Sequence, residues 1–200
     1  MPVNRAHTTV PGAGPHRELT GAYVIDPVHS VLGFSVRHAM VAGVRGRFTA
    51  FEGFLRLDAL RPARSEAHVS VQAGSLDTGV RARDSRIAGP GFLDSATFPL
   101  MVFRSTAVVA LHGDGNGFRM TGNLRIKDVE LPLHIDLGYR GTSCGADGQR
   151  RIGFAGSASL RRSDYALGRN VPLGAGGVLL GDKVRLELGV RAMRLGPEAL

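Results

Sequence analysis

Apolar side chains recur at every second position in segment after segment of this chain, the spacing of half-buried β-strands. Leu32, Phe34 and Val36 share one parity. Val44, Gly46, Phe48 and Ala50 share another, and after a slip of one residue Phe51, Gly53, Leu55 and Leu57 carry it on. Such a slip inside a long strand predicts a β-bulge. Ala67, Val69, Val71 and Ala73 alternate in turn, 101–111 does so weakly, and 118–126, 131–139, 152–160 and 184–192 do so cleanly. The total is about eight strands. One short segment, 76–87, reads as helical and is ended by Gly89-Pro90-Gly91. Residues 113–117, rich in glycine, predict a hairpin turn, and 173–181 a loop.

Strands with one apolar face each must close on themselves or stack as two sheets. Very small residues stand on the apolar parity at Gly46, Ala50, Gly122, Gly156 and Ala158. A sandwich core would fill such positions to crystal-like density. Eight strands, by contrast, enclose an interior just wide enough for one ligand. Glycine in a strand marks a bend or bulge equally well, so this argument stands beside that alternative. The expected fold is all-β: a closed eight-stranded antiparallel barrel with one short helix. A chain of 200 residues suits one such domain. Residues 1–20 read as a flexible N-terminal tail and 21–195 as the barrel.

The net charge is +8, carried almost wholly by arginine, with Lys127 and Lys183 as the lysines. Arg45, Arg47, Arg56, Arg119, Arg125, Arg151, Arg161, Arg185 and Arg191 are spread over different segments. They read as a solvated outer face, not a nucleic-acid groove. No apolar run approaches the roughly 18 residues of a membrane-spanning helix, and 1–20 has no signal-peptide core. Stable membrane insertion is therefore not expected. The single cysteine, Cys144, permits no intramolecular disulfide, and the expected setting is cytoplasmic.

Catalytic and metal motifs fail on context. Gly141-Thr142-Ser143-Cys144-Gly145 fits G-x-S-x-G, but 146–149 leads into another strand, so a hairpin loop is expected instead of a nucleophile elbow. Asp114-Gly115-Asn116-Gly117 lacks the glutamate that closes a calcium loop, since Arg125 stands there. The histidines have no metal-ligand spacing, a lone cysteine cannot build a cysteine-rich zinc site, and no phosphate loop or dinucleotide fingerprint is present. Neither a cofactor nor a metal is expected.

A series of short motifs resembles the YceI-like family. It opens with Tyr23-Val24-Ile25-Asp26-Pro27-Val28-His29-Ser30, Phe34-Ser35-Val36-Arg37-His38 and Val44-Arg45-Gly46-Arg47-Phe48. Arg83-Asp84, Phe92-Leu93-Asp94, Phe98-Pro99, Phe103-Arg104-Ser105, Gly122-Asn123-Leu124 and Arg162-Ser163-Asp164-Tyr165 follow in order. The resemblance covers 21–195. It implies a lipocalin-like barrel that binds a polyisoprenoid chain along its axis, either a polyprenyl phosphate or an isoprenoid quinone. Many relatives carry a secretory signal. Where relatives often read Arg-Asp-x-His-Leu, this chain has Arg83-Asp84-Ser85-Arg86-Ile87, and Asp128 stands where a turn glycine is usual.

An isoprenoid ligand needs apolar area for its tail and a polar partner for its head. Leu32, Phe34, Val36, Phe48, Met101, Phe103, Met120, Leu124, Phe154 and Leu186 share the inward parity, and Phe92 and Tyr165 complete the expected ligand-binding set. Each serves equally well as plain core. His38 keeps the parity of Val36, so it either orients a head group or is a satisfied buried histidine. Arg83 and Asp84 are head-group candidates, or they pair with each other or with a neighbouring strand end in a structural salt bridge. His29 is expected to bond to turn backbone or Ser30.

The expected function is non-catalytic binding of an isoprenoid lipid or another long apolar small molecule, for transport, storage or sequestration. Two other classes stay open: an enzyme acting on a similar apolar substrate through His38, Arg83 or Asp84, and a basic interaction module. A homodimer is compatible with the sequence, though no residue argues for one.

Overall fold

The computed structural model describes residues 17–38, 43–111, 115–145, 148–168 and 180–196, without the side chains of Arg17, His38 and Leu180. Among the described residues, eleven β-segments form one antiparallel sheet: β1 (Gly21–Ile25), β2 (Val31–His38), β3 (Val44–Phe48), β4 (Phe51–Leu57), β5 (Glu66–Gln72), β6 (Leu76–Asp77), β7 (Leu100–Ala110), β8 (Gly117–Ile126), β9 (Val129–Cys144), β10 (Arg150–Arg161) and β11 (Leu180–Arg194). The one α-helix described, α1 (Arg81–Ala88), lies between β6 and β7.

The ring runs β1-β4-β5-β7-β8-β9-β10-β11 and closes where β1 pairs back onto β11, Val24 opposite Met193. Eight strands therefore make a closed barrel. Closure leaves no free edge at this end of the wall. β2, β3 and β6 continue the wall beyond three breaks, so β1–β2, β3–β4 and β5–β6 are each one long strand interrupted. The β3–β4 break falls at Thr49-Ala50, where the alternation slips. There the Thr49 and Ala50 amides donate to the Ser75 carbonyl (3.0 Å) and hydroxyl (3.1 Å).

The β1–β2 break is built by Asp26-Pro27-Val28-His29-Ser30. Pro27 has no N–H for the ladder. The Asp26 carboxylate accepts the amides of Val28 (3.0 Å) and His29 (3.3 Å), and the guanidinium of Arg151 (2.8 Å). It also meets the His29 ring nitrogen at 2.8 Å, so His29 is held by Asp26 and not by turn backbone or Ser30. The Ser30 hydroxyl instead exchanges bonds with the Arg191 carbonyl and amide. Arg151 is accordingly no part of a solvated face: only 11% of its side chain is exposed. Arg119, Arg47 and Arg185 do lie outside, each near an acidic partner.

Three expected boundaries shift. Leu76 and Asp77 are strand, paired with Phe48 and Arg47, and the helix starts only after Gly79, whose φ of +76° ends the strand. Residues 141–144 extend β9, and just beyond it the Gly145 amide donates to the Gln149 carbonyl (3.0 Å). The barrel's packing also begins before Gly21: Leu19 is buried on a 3-10 turn (Arg17–Leu19), and its carbonyl accepts the Tyr23 hydroxyl at 3.0 Å. Residues 1–16 of the expected tail and 173–179 of the expected 173–181 loop lie outside the described residues, as do 169–172, while Leu180 and Gly181 are strand.

Two apolar clusters make up the core along the barrel wall. One gathers Tyr23, Ile25, Leu55, Leu133 and Ile152; the other gathers Ala73, Leu76, Leu93, Met101, Ile126 and Tyr165 beneath α1 and the turns after it.

Candidate ligand-binding cavity

A cavity of about 1920 Å3 runs the length of the barrel. This is nearly twice the upper end, roughly 1,000 Å3, of ordinary small-molecule pockets. At one end it is bounded by Leu19, Leu57–Leu60 and Gly115, and at the other by α1, Gly89–Phe92, Arg162, Leu167, Gly168 and Asp182. Its walls follow from the pleat: alternate side chains point inward, and these are the apolar parity of each strand.

Leu32, Phe34, Val36, Phe48, Phe92, Met101, Phe103, Met120, Leu124, Phe154 and Leu186 all border the cavity. Tyr165 does not: it packs into the wall of the second cluster, and burial, with Asp164 nearby, pushes its hydroxyl up to about 12, so it stays protonated. The backbone of His38 ends β2 opposite Leu180, and its side chain lies outside the described residues. Many further inward residues, including Ile25, Val69, Phe118, Ile135 and Leu188, complete the wall.

The small residues thought to hollow the barrel do something else. Gly46, Ala50, Gly122, Gly156 and Ala158 are absent from the cavity lining. A Cβ at Gly46 would lie 2.5 Å from the Phe34 ring and 2.9 Å from the Asp77 carbonyl. At Gly122 it would meet the Phe103 ring and the Arg104 carbonyl, and at Gly156 the Asp136 carbonyl. These glycines admit neighbouring rings and backbone, and the cavity lies along the axis between larger side chains.

Polar side chains collect at the α1 end. Arg83 donates from Nε to the Thr78 hydroxyl (2.8 Å) and from Nη2 to the Thr78 carbonyl (2.9 Å), and Asp84 accepts the Thr78 amide (3.1 Å) and hydroxyl. Arg83 and Asp84 do not pair with each other, because adjacent helical residues do not face each other; both hold Thr78, the residue that follows the end of β6. Arg83 borders the cavity and Asp84 does not.

Sequence reading passed over Arg86, Arg162 and Asp182, which also border it. Two of these were accessible by extending the strand parity: Arg162 lies two residues beyond Leu160, and Asp182 two before Val184. Arg162 is only 5% exposed and donates to the carbonyls of Gly181 (3.1 Å), Leu167 (2.9 Å) and Gly168 (2.7 Å). Asp182 accepts the Ser163 amide (3.0 Å) and hydroxyl (2.8 Å); the hydroxyl bond leads in holding its carboxyl below the ordinary carboxylate value. Among the described residues, no three His, Cys, Asp or Glu side chains form a metal-holding group.

A closed antiparallel barrel around a long apolar cavity, polar at one end, places the chain in the lipocalin-like class of barrels shaped to enclose apolar ligands. Residues 23–192 match the YceI-like domain, and the chain belongs to that family. A UPF0312 protein of Azotobacter vinelandii is 30% identical over 162 residues, covering 80% of this chain and 82% of the relative. One from Vibrio parahaemolyticus is 33% identical over 146 residues, 72% and 76% of the two chains. Among solved structures, Burkholderia cenocepacia BcnA superposes with a TM-score of 0.72 at 20% identity, covering 84% of this chain and 98% of that one. A polyisoprenoid-binding domain from Saccharophagus degradans, implicated in plant cell wall breakdown, gives 0.64 at 15% identity, over 86% and 98%. These structural likenesses extend to the fold.

Proposed function

We propose that the protein is a non-catalytic host for a long isoprenoid chain, held in the barrel for transport, storage or sequestration. The observation that carries this reading is the continuous apolar cavity of about 1920 Å3 from one end of the barrel to the other. Filled with liquid water it would hold about sixty molecules, facing walls that offer them few hydrogen bonds. A branched hydrocarbon suits those walls better. Burying a few hundred Å2 of apolar surface at about 25 cal/mol per Å2 supplies most of a micromolar affinity. Phe and Met side chains along the wall adapt to a flexible chain. Membership of the YceI-like family and the likeness to a polyisoprenoid-binding domain support the same ligand class.

The test is native mass spectrometry of the purified protein, followed by organic extraction and titration with isoprenoids. A bound isoprenoid at one per barrel, or a thermal shift on adding one, is the expected result. A protein that copurifies with none and gains no stability from any isoprenoid would overturn the reading.

A further inference from the structure

We propose that the α1 end of the cavity selects an anionic head group, a phosphate or carboxylate, and so fixes which way the ligand lies. The inference rests on the host reading above and goes further by naming the charge of the head. Charged groups on the cavity boundary are distributed unequally. At the far end stands Asp58, whose carboxylate already accepts the amides of Leu60 (3.1 Å) and Arg61 (2.9 Å). At the α1 end stand three guanidinium groups, Arg83, Arg86 and Arg162, with one carboxylate, Asp182. Asp182 stays ionised and offsets one arginine, leaving a cationic excess at that end.

The arginines have different commitments. Arg162 is anchored to three carbonyls and fixes the rim. Arg83 spends Nε and one Nη on Thr78, which leaves its other Nη free of hydrogen-bond partners among the described residues. The Arg86 carbonyl accepts the Gly89 amide (3.3 Å), but its guanidinium makes no hydrogen bond or ion pair among the described residues, yet Arg86 borders the cavity. Arg83 and Arg86 are three residues apart on α1 and so share a face of the helix. Two guanidinium groups on one helix face, at the end of an apolar tube, match an oxyanion with several acceptor atoms. A neutral ring carbonyl accepts too few hydrogen bonds to use them. Arg86 is thus a specificity-determining residue.

The experiment measures affinity for matched pairs, geranylgeranyl phosphate against geranylgeraniol and dodecyl phosphate against dodecanol, with inorganic phosphate alone as a further arm. In the wild type the phosphate is expected to bind at least about tenfold more tightly than the alcohol of the same tail. That ratio should fall about tenfold in Arg86→Gln, recover in Arg86→Lys, and stay at the wild-type value in the outer-face variant Arg119→Gln. Added salt should lower the ratio. Preference for dodecyl phosphate without binding of either isoprenoid would support the head-group inference while overturning the isoprenoid reading. Equal affinities within both pairs, or an Arg86→Gln ratio equal to wild type, would overturn the inference. Inorganic phosphate binding as tightly as the lipid phosphate would overturn it as well, because the site would then serve free phosphate.

Discussion

Asp26 shows how much one side chain can organise. It is 4% exposed, and burial works against its charge, yet the bonds from Arg151 and His29 outweigh that penalty and hold its carboxyl below the ordinary value. Arg151 is itself nearly buried, whereas the His29 side chain is 58% exposed, so solvent screens the histidine far more. Asp26→Asn should therefore cost about 1.5–3 kcal/mol in urea unfolding near neutral pH. His29→Ala should cost clearly less than Arg151→Ala. A depressed folded-state value means that the stabilisation is whole above the ordinary 3.8 and is lost as pH falls through the folded value. The urea midpoints of wild type and Asp26→Asn should accordingly converge on acidification below about pH 4. The sequence displayed this motif but not its wiring, because Arg151 is a partner from a distant strand that local spacing cannot supply.

Elements were more legible than partners. Alternation located the strands other than β1 and β6, and even the β3–β4 break, since one slipped residue turns every later side chain to the other face. It misjudged the start of α1, where Leu76 and Asp77 are recruited by β3 and not by the helix. It also misread the glycines, because parity records which way a residue points and not what fills the space in front of it. Gly156 and Gly189 separate the two cases. A Cβ at Gly156 would strike the Asp136 carbonyl, whereas one at Gly189 meets nothing within 4 Å. Gly156→Ala should destabilise by about 1–3 kcal/mol, and Gly189→Ala should be neutral or slightly stabilising, both read from urea midpoints. The candidate site was legible along its apolar walls, where parity suffices. Its cationic end was only half legible, since Arg83 and Arg86 border the cavity only after the chain leaves the sheet and returns as a helix.

At the scale of the molecule, the two ends of the wall differ. One end is a continuous ladder closed by β1 on β11; at the other, β6 pairs with β3 and is the last segment of the sheet order, and residues 78–99 with α1 span the gap before β7. Capacity is set by side chains along the axis. Val69→Phe should shorten the longest isoprenoid that binds, as measured across a chain-length series, while keeping the fold, because it adds bulk to open space. Ligand at a hundred times its dissociation constant should raise stability by about 2.7 kcal/mol.

The hollow axis also gives the protein an unusual mechanical property. Unfolding abolishes internal voids, so folded proteins lose volume when they unfold, typically about 20–100 mL/mol, and compression favours the unfolded chain. A barrel with its interior unoccupied by ligand carries more removable void than a packed domain of the same length. It should therefore yield at lower hydrostatic pressure than its loaded form, and the difference in unfolding volume would gauge how much of the tube the cargo occupies.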